Sequence, residues 1–226
     1  MSGVTIAVGV VGHTARRRQA EALAERVGAW LSIDDGSLGC EGNHRRVLAH
    51  LADSGADYAV VLEDDAQPVD GFADQVCAAL EAAPPCEYPD GAVAAAPIVS
   101  LYLGTGYPRY WQSAYERAIW AADHIAAPWL RCSHLLHAVG YAVRRDLVAD
   151  LVADLPQRAP LPIDAAITEW ARSRNHDVLY TWPCLVDHAD GEPVVTGRRP
   201  RRAARRAHRV GGRVSWHGRE VMIAYR

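Results

Sequence analysis

An α/β domain with a mostly parallel central sheet is the fold this sequence predicts, and three observations carry it. Short apolar runs alternate with stretches whose apolar residues recur at helical spacing. The clearest run, Tyr58-Ala59-Val60-Val61-Leu62, is continuous and partly β-branched, as strands covered on both faces are. It ends at Glu63-Asp64-Asp65 and is followed by a helical pattern, which makes a βα unit.

The elements follow in order. Residues 4–11 form an apolar strand ending at Gly12, and Thr14 caps a helix whose apolar face carries Leu23, Val27, Trp30 and Leu31. Residues 31–33 lead into the turn Asp34-Asp35-Gly36-Ser37, after which Val47, Leu48 and Leu51 mark a second short helix. Beyond the acidic triplet, Asp70 opens a helix that presents Phe72, Val76, Ala79 and Leu80 and stops at Pro84-Pro85. Residues 95–103 read as a strand and 104–111 as a loop, while 115–134 fit neither period. A strand over 137–143, a helix carrying Leu147, Val148, Leu151, Val152 and Leu155, a helix with Ile163, Ile167 and Trp170, and a strand over 178–186 broken by Pro183 complete the chain's α/β alternation.

The 226 residues suffice for one well-cored domain and an appendage. Half of them are hydrophobic and 23% are charged, which is globular rather than disordered composition. No apolar run approaches the length of about 18 residues that a membrane span needs. Five scattered cysteines without a CxxC pair or a secretory leader point to reduced thiols and a cytoplasmic setting. The net charge of -3 hides an asymmetry: all 24 basic residues are Arg, and residues 198–226 carry +9 against -12 for residues 1–197. Residues 1–197 are therefore read as the catalytic domain and 198–226 as an Arg-rich C-terminal extension.

Ligands of open α/β sheets bind beyond the carboxyl ends of the strands. Asp34-Asp35 and Glu63-Asp64-Asp65 sit at such ends. Three adjacent acids repel one another, and a divalent cation would relieve the cost. A solvated turn with helix-capping acids is the plainer alternative. His188, just past the last predicted strand, can reach the same edge as a neutral imidazole ligand, with Asp187 and Asp190 beside it.

Val60-Val61-Leu62-Glu63-Asp64-Asp65-Ala66 resembles the acidic motif of GT-A (Rossmann-like) glycosyltransferases, especially the family 25 lipooligosaccharide-type and family 2-like enzymes, some of them phage-encoded. Asp34-Asp35-Gly36-Ser37 with Gly42-Asn43-His44 is similar to the early nucleotide-binding part of that fold, and Pro183-Cys184-Leu185-Val186-Asp187-His188 to its late metal-site segment. The resemblance spans about residues 4–196. It implies a metal-dependent transfer of a sugar from a nucleotide donor, UDP-sugar first, to an acceptor hydroxyl, with Mn²⁺ or Mg²⁺ as cofactor. It further implies that Asp65 and His188 bind the metal, that Glu63 and Asp64 hold donor ribose, sugar or metal-bound water, that Asp35 contacts the nucleotide, and that Asn43 and Arg46 lie near the donor. The usual first Asp of the DxD pattern is Glu63 here.

An inverting transfer also needs a carboxylate to take the acceptor's proton. Asp164 in Leu161-Pro162-Ile163-Asp164 is the candidate, with a helix N-cap as the equal alternative. His134 and His137 near Arg131 and Cys132 match no zinc spacing and read as packing or acceptor contact. Tyr107, Tyr110 and Trp111 read first as packing and second as a stacking wall. The arginine run is either a basic helix folded onto the acidic body or an arm for nucleic acid, the latter making a hydroxylated DNA base a candidate acceptor and a glycan or protein the other choices. The competing functions are nucleotidyl transfer, for which no Gly-rich phosphate loop follows the first strand, and non-catalytic nucleic-acid binding.

Overall fold

The structure, a computed structural model, describes residues 3–88, 91–189 and 205–224. The chain opens with β1 (Ile6–His13), α1 (Arg17–Val27), β2 (Trp30–Asp34), α2 (Gly39–Ala52) and β3 (Tyr58–Glu63). Next come β4 (Ala66–Pro68), α3 (Phe72–Ala82), β5 (Cys86–Glu87), β6 (Val93–Ala94), β7 (Ile98–Ser100), α4 (Gln112–His124) and β8 (Trp129–Cys132). It ends with β9 (Gly140–Arg144), α5 (Arg145–Asp154), α6 (Ile163–Ser173), β10 (Val178–Thr181), β11 (Val186–His188) and β12 (Glu220–Met222).

Eight strands form one mixed sheet in the order β12-β8-β10-β7-β9-β3-β1-β2. Four of its strand pairs are parallel and three antiparallel, so β9, β8 and β12 run against the other five. The α/β alternation read from the sequence is therefore present, and the sheet is compatible with a Rossmann-like fold. β11 pairs with β4 in a separate small sheet.

Side-chain alternation along β3 shows why this strand must be apolar throughout. Tyr58, Val60 and Leu62 enter one core with α1 and α3, whereas Ala59 and Val61 enter the other with α2, α4, α5 and α6. The glycines of β1 serve close packing: a Cβ on Gly12 would lie 2.8 Å from Ala20 Cβ of α1.

Several expected boundaries moved. Trp30 and Leu31 belong to β2 rather than to the first helix, because Gly28 adopts φ +65 and ends α1 in a left-handed cap. His13, not Thr14, caps the first turn, its Nδ1 accepting the Ala15 N–H. Asp70 caps nothing and pairs with Arg26 at 3.1 Å. The strand expected over 95–103 shortens to β7, and the ambiguous 115–134 resolves into α4 and β8. The strand expected over 178–186 divides at the cis Trp182-Pro183 bond into β10 and β11.

The described part of the Arg-rich extension is built into the domain. Residues 205–224 contain no helix, and β12 adds to β8 at the sheet edge, where Arg131 Nε and Nη2 each donate to the Glu220 carboxylate at 2.7 Å. Trp216 is 2% exposed; its indole donates to Gln75 Oε1 at 3.1 Å, and its carbonyl accepts from Trp129 Nε1 at 2.9 Å. Trp216→Ala is expected to cost about 3–5 kcal/mol, the range for truncating a buried aromatic side chain. A urea midpoint unchanged by this substitution would show that the segment contributes nothing to the core.

Candidate functional site

Strand direction gathers the polar residues at one edge. Parallel pairing sets His13 of β1 against Asp34 of β2 and Val11 against Glu63, so the carboxyl ends of β1, β2 and β3 lie together. β9 runs the other way, with Gly140 opposite Leu62, and thus brings the loop before it to the same edge. The ends of β7 and β10 arrive there too, because β7 is antiparallel to β9 and parallel to β10.

The alternation of β3 continues into the triplet and separates its acids. Glu63 shares the phase of Ala59 and Val61 and turns toward α2, where its Oε1 lies 3.4 Å from His44 Nε2. Asp64 takes the opposite phase. Its carboxylate accepts the His13 N–H at 3.0 Å and Arg16 Nη1 at 2.9 Å. The triplet is one string in sequence but two sites in space.

Asp65 meets His188 at this edge. β11 lies antiparallel to β4 with His188 opposite Ala66, and Ala189 N–H donates to the Asp65 carbonyl at 2.7 Å. The pairing places His188 Nε2 3.3 Å from Asp65 Oδ2. Arg16 Nη1 reaches the same oxygen at 2.6 Å, so one guanidinium bridges Asp64 and Asp65. Asp65 and His188 are 6% and 4% exposed, and among the described residues Asp65 Oδ1 and His188 Nδ1 have no hydrogen-bond partner. Burial alone would raise the Asp65 pKa, but His188 and Arg16 outweigh it and hold the carboxyl below its ordinary value. Asp64 goes the other way, since burial exceeds the help from Arg16 and His13.

The remaining predicted residues are placed as follows. Asp35 lies exposed at the rim, its Oδ1 accepting the Ser37 N–H at 3.0 Å, and the Ser37 hydroxyl first and its N–H second lower the Asp35 pKa. Asp34 is the buried member of the pair and accepts the N–H groups of Leu38 and Gly39, both at 3.1 Å. Asn43 is 2% exposed; its amide donates to the Gly12 and Ser32 carbonyls and accepts from Ser32 Oγ, so it fastens α2 to β1 and β2. Arg46 is a second fastener, donating to Ser32 Oγ at 2.7 Å and the Ile33 carbonyl at 2.9 Å. Their polar groups are committed to the protein, which leaves Asn43 in particular no donor for a ligand.

Asp164 lies in the first turn of α6 and is not its cap, a position held by Pro162. Its Oδ1 accepts the Ala165 N–H at 2.9 Å. Burial, and after it the charge of Glu63, raises its pKa, with His44 acting in opposition, so Asp164 faces the Glu63–His44 side of the cleft.

The aromatic loop divides. Trp111 is buried and stacks on Tyr115 with ring centroids 6.1 Å apart, whereas Tyr107 and Tyr110 are exposed. His137 is held by the loop, its Nε2–H donating to the Tyr107 carbonyl at 2.8 Å, and burial pushes its pKa down to about 4. It stays neutral across the physiological range.

Four residues at this edge carried no predicted role of their own. Arg16 and His13 were legible only as residues just past the first strand, an edge position shared with the triplet. Cys40 and His44 stand four apart on α2, the spacing that aligns side chains on one helix face. With Glu63 they bring a thiol, an imidazole nitrogen and a carboxylate oxygen within 4.8 Å of one another.

The arginine run is partly spent. Arg209 makes two bonds to Asp123 at 2.6 and 2.7 Å, Arg206 pairs with Asp187 at 3.3 Å, and Arg213 donates to the carbonyls of Trp182 and Ala126. These residues match the folded-back reading of the extension in everything except helical form. Arg198, Arg199, Arg201, Arg202 and Asp190 lie outside the described residues. Among the described residues no helix is long and apolar enough to cross a membrane. A cavity of about 570 Å³, lined among others by Ile6, Val8, Trp30 and His50, lies at the amino ends of β1 and β2, away from the acidic triplet.

No protein-family model matches the chain, and no curated protein matches it either.

Proposed function

We propose that this protein is a metal-dependent glycosyltransferase that moves a sugar from a nucleotide-sugar donor, UDP-sugar first, to an acceptor hydroxyl. The observation that carries the reading is the meeting of Asp65 and His188 at 3.3 Å beside the carboxyl end of β3, with Asp65 Oδ1 buried and unpartnered. Such an edge is where α/β sheets bind nucleotides.

Asp65 would offer a divalent cation a spare carboxylate oxygen and His188 an imidazole, while Asp64 stays paired with the cationic Arg16. Carboxylate with imidazole suits Mn²⁺, and Mg²⁺ takes the oxygens. Bound there, the cation would neutralise the charge of a nucleoside diphosphate leaving group.

The chain's own groups perform the rest. Arg16 compensates the paired carboxylates, and its planar fork suits phosphate oxygens when they arrive. His13 fixes Asp64 through its N–H. Asp35, exposed at the rim, is placed to accept from ribose or base hydroxyls. Asp164, on the Glu63–His44 side of β3, accepts the acceptor's proton, and its raised pKa makes it a better base than an exposed carboxylate. With leaving group and base on different sides of the strand end, the transfer inverts.

The acceptor is a hydroxyl of a glycan or protein before one of DNA, because Arg206, Arg209 and Arg213 are engaged within the domain. Nucleotidyl transfer would release pyrophosphate instead. Incubation with a panel of UDP- and GDP-sugars and Mn²⁺ is expected to release nucleoside diphosphate, and chelation to stop it. Release that is indifferent to chelator, or pyrophosphate as the product, overturns the reading.

A further inference from the structure

The proposed transfer leaves one chemically competent cluster unused. Cys40 and His44 lie one helical turn apart near the start of α2, and the phase of β3 turns Glu63 toward them. Their ligand atoms all lie within 4.8 Å of one another. From this geometry we propose that Cys40, His44 and Glu63 form a zinc site, separate from the Asp65–His188 pair and independent of the transfer reading.

The donor set selects the metal. Thiolate, imidazole and carboxylate together are softer than the all-oxygen sets preferred by Mg²⁺ and match the ligands that Zn²⁺ takes in tetrahedral sites. A tetrahedron with bonds of about 2.0–2.3 Å has edges of roughly 3.3–3.8 Å. The separation of His44 Nε2 from Glu63 Oε1 is 3.4 Å. Cys40 is exposed on the first turn, so its thiol can close the remaining gap without disturbing the core.

His44 is fully buried and oriented from behind. Its Nδ1 lies 3.1 Å from the Tyr141 hydroxyl, and the two rings stack with centroids 5.9 Å apart. An Nδ1–H donated to Tyr141 leaves the Nε2 lone pair facing Glu63 and Cys40, the arrangement by which outer residues fix metal-binding histidines. Tyr141 is itself buried in β9, so the orientation is held by the sheet.

Three protein ligands leave a fourth position, which marks an open rather than a closed zinc site. The exposed Cys40 and the 27% exposed Glu63 side chain put that position at the solvent face of the cleft. A hydroxyl or water bound there loses its proton far more readily than in bulk. Zinc at this position gives the first acid of the triplet a role distinct from its neighbours.

The test uses the full chain stripped with chelator and then loaded with Zn²⁺ alone. About one equivalent is expected to survive desalting, as read by elemental analysis. Cys40→Ser, at an exposed position that tolerates change, is expected to weaken Zn²⁺ binding at least tenfold, and Asp65→Asn to leave it unchanged. Zn²⁺ should slow alkylation of Cys40 at least tenfold, and Co²⁺ in its place should give a thiolate charge-transfer band absent from Cys40→Ser. No retained zinc, or zinc retained equally by Cys40→Ser but lost from Asp65→Asn, overturns the assignment. Neither of these results depends on whether nucleotide sugars are cleaved.

Discussion

Asp65→Asn is expected to lower metal-dependent donor cleavage by about 10²–10³-fold, the scale on which removing one preorganised electrostatic contact slows a reaction. Asn keeps the size of the side chain and can still hydrogen-bond His188, but it lacks the charge that a cation and Arg16 both answer. Arg16 retains Asp64 at 2.9 Å, so the guanidinium is not orphaned. In the parent, Mn²⁺ with UDP should raise the Tm by mass action. In Asp65→Asn that increment should vanish, and the ligand-free Tm should fall as well, because the pKa of Asp65 is lowered in the folded state and its charge supports folding at neutral pH. A purely structural Asp65 would lose Tm alone, and whatever protein stays folded would cleave donor at the parental rate.

The fold class was legible because the burial pattern of a two-sided sheet is written directly into strands such as β3, where both phases are apolar. What failed to show was pairing at a distance. β12 is three residues without a strong apolar pattern, and it becomes a strand because Glu220 meets the buried Arg131 and Trp216 fills a space beside Trp129. α4 was hidden because three of its four buried positions, Ala114, Ala118 and Ala122, are small, and Tyr115 alone makes no hydrophobic stripe.

At the site, the Asp65–His188 meeting was readable from chain order, since both follow strands that end at one edge. The division of the triplet was also implicit, because period two along β3 sends Glu63 and Asp64 to opposite faces. Asn43 and Arg46 were not readable in this way. A polar residue near a strand end can face a ligand or fasten a helix, and only the positions of the Ser32 hydroxyl and the Gly12 carbonyl decide between them.

Asp164→Asn should separate function from stability in one variant. Loss of a general base lowers the rate by about 10²–10⁴-fold, and the loss should fall on kcat while donor KM holds, since Asp164 lies near Glu63 and His44. Stability should move the other way. The folded-state pKa of Asp164 is raised, first by burial and then by Glu63. Between the unfolded and folded pKa values the native state therefore binds more protons than the unfolded chain, and stability falls as pH rises through that window. At neutral pH the ionised carboxylate opposes folding, and the neutral amide removes that opposition, so the Tm of Asp164→Asn at pH 7 should equal or exceed the parent's. At a pH below the ordinary Asp range, where the parent side chain is also neutral, the advantage should disappear. A variant that is both inactive and less stable at pH 7 would identify Asp164 as a structural first-turn residue held by the Ala165 N–H. Full activity with raised stability would remove it from the reaction altogether. Only inactivity combined with undiminished stability marks a charge kept at a cost for chemistry, the usual signature of a buried carboxylate that serves as a base.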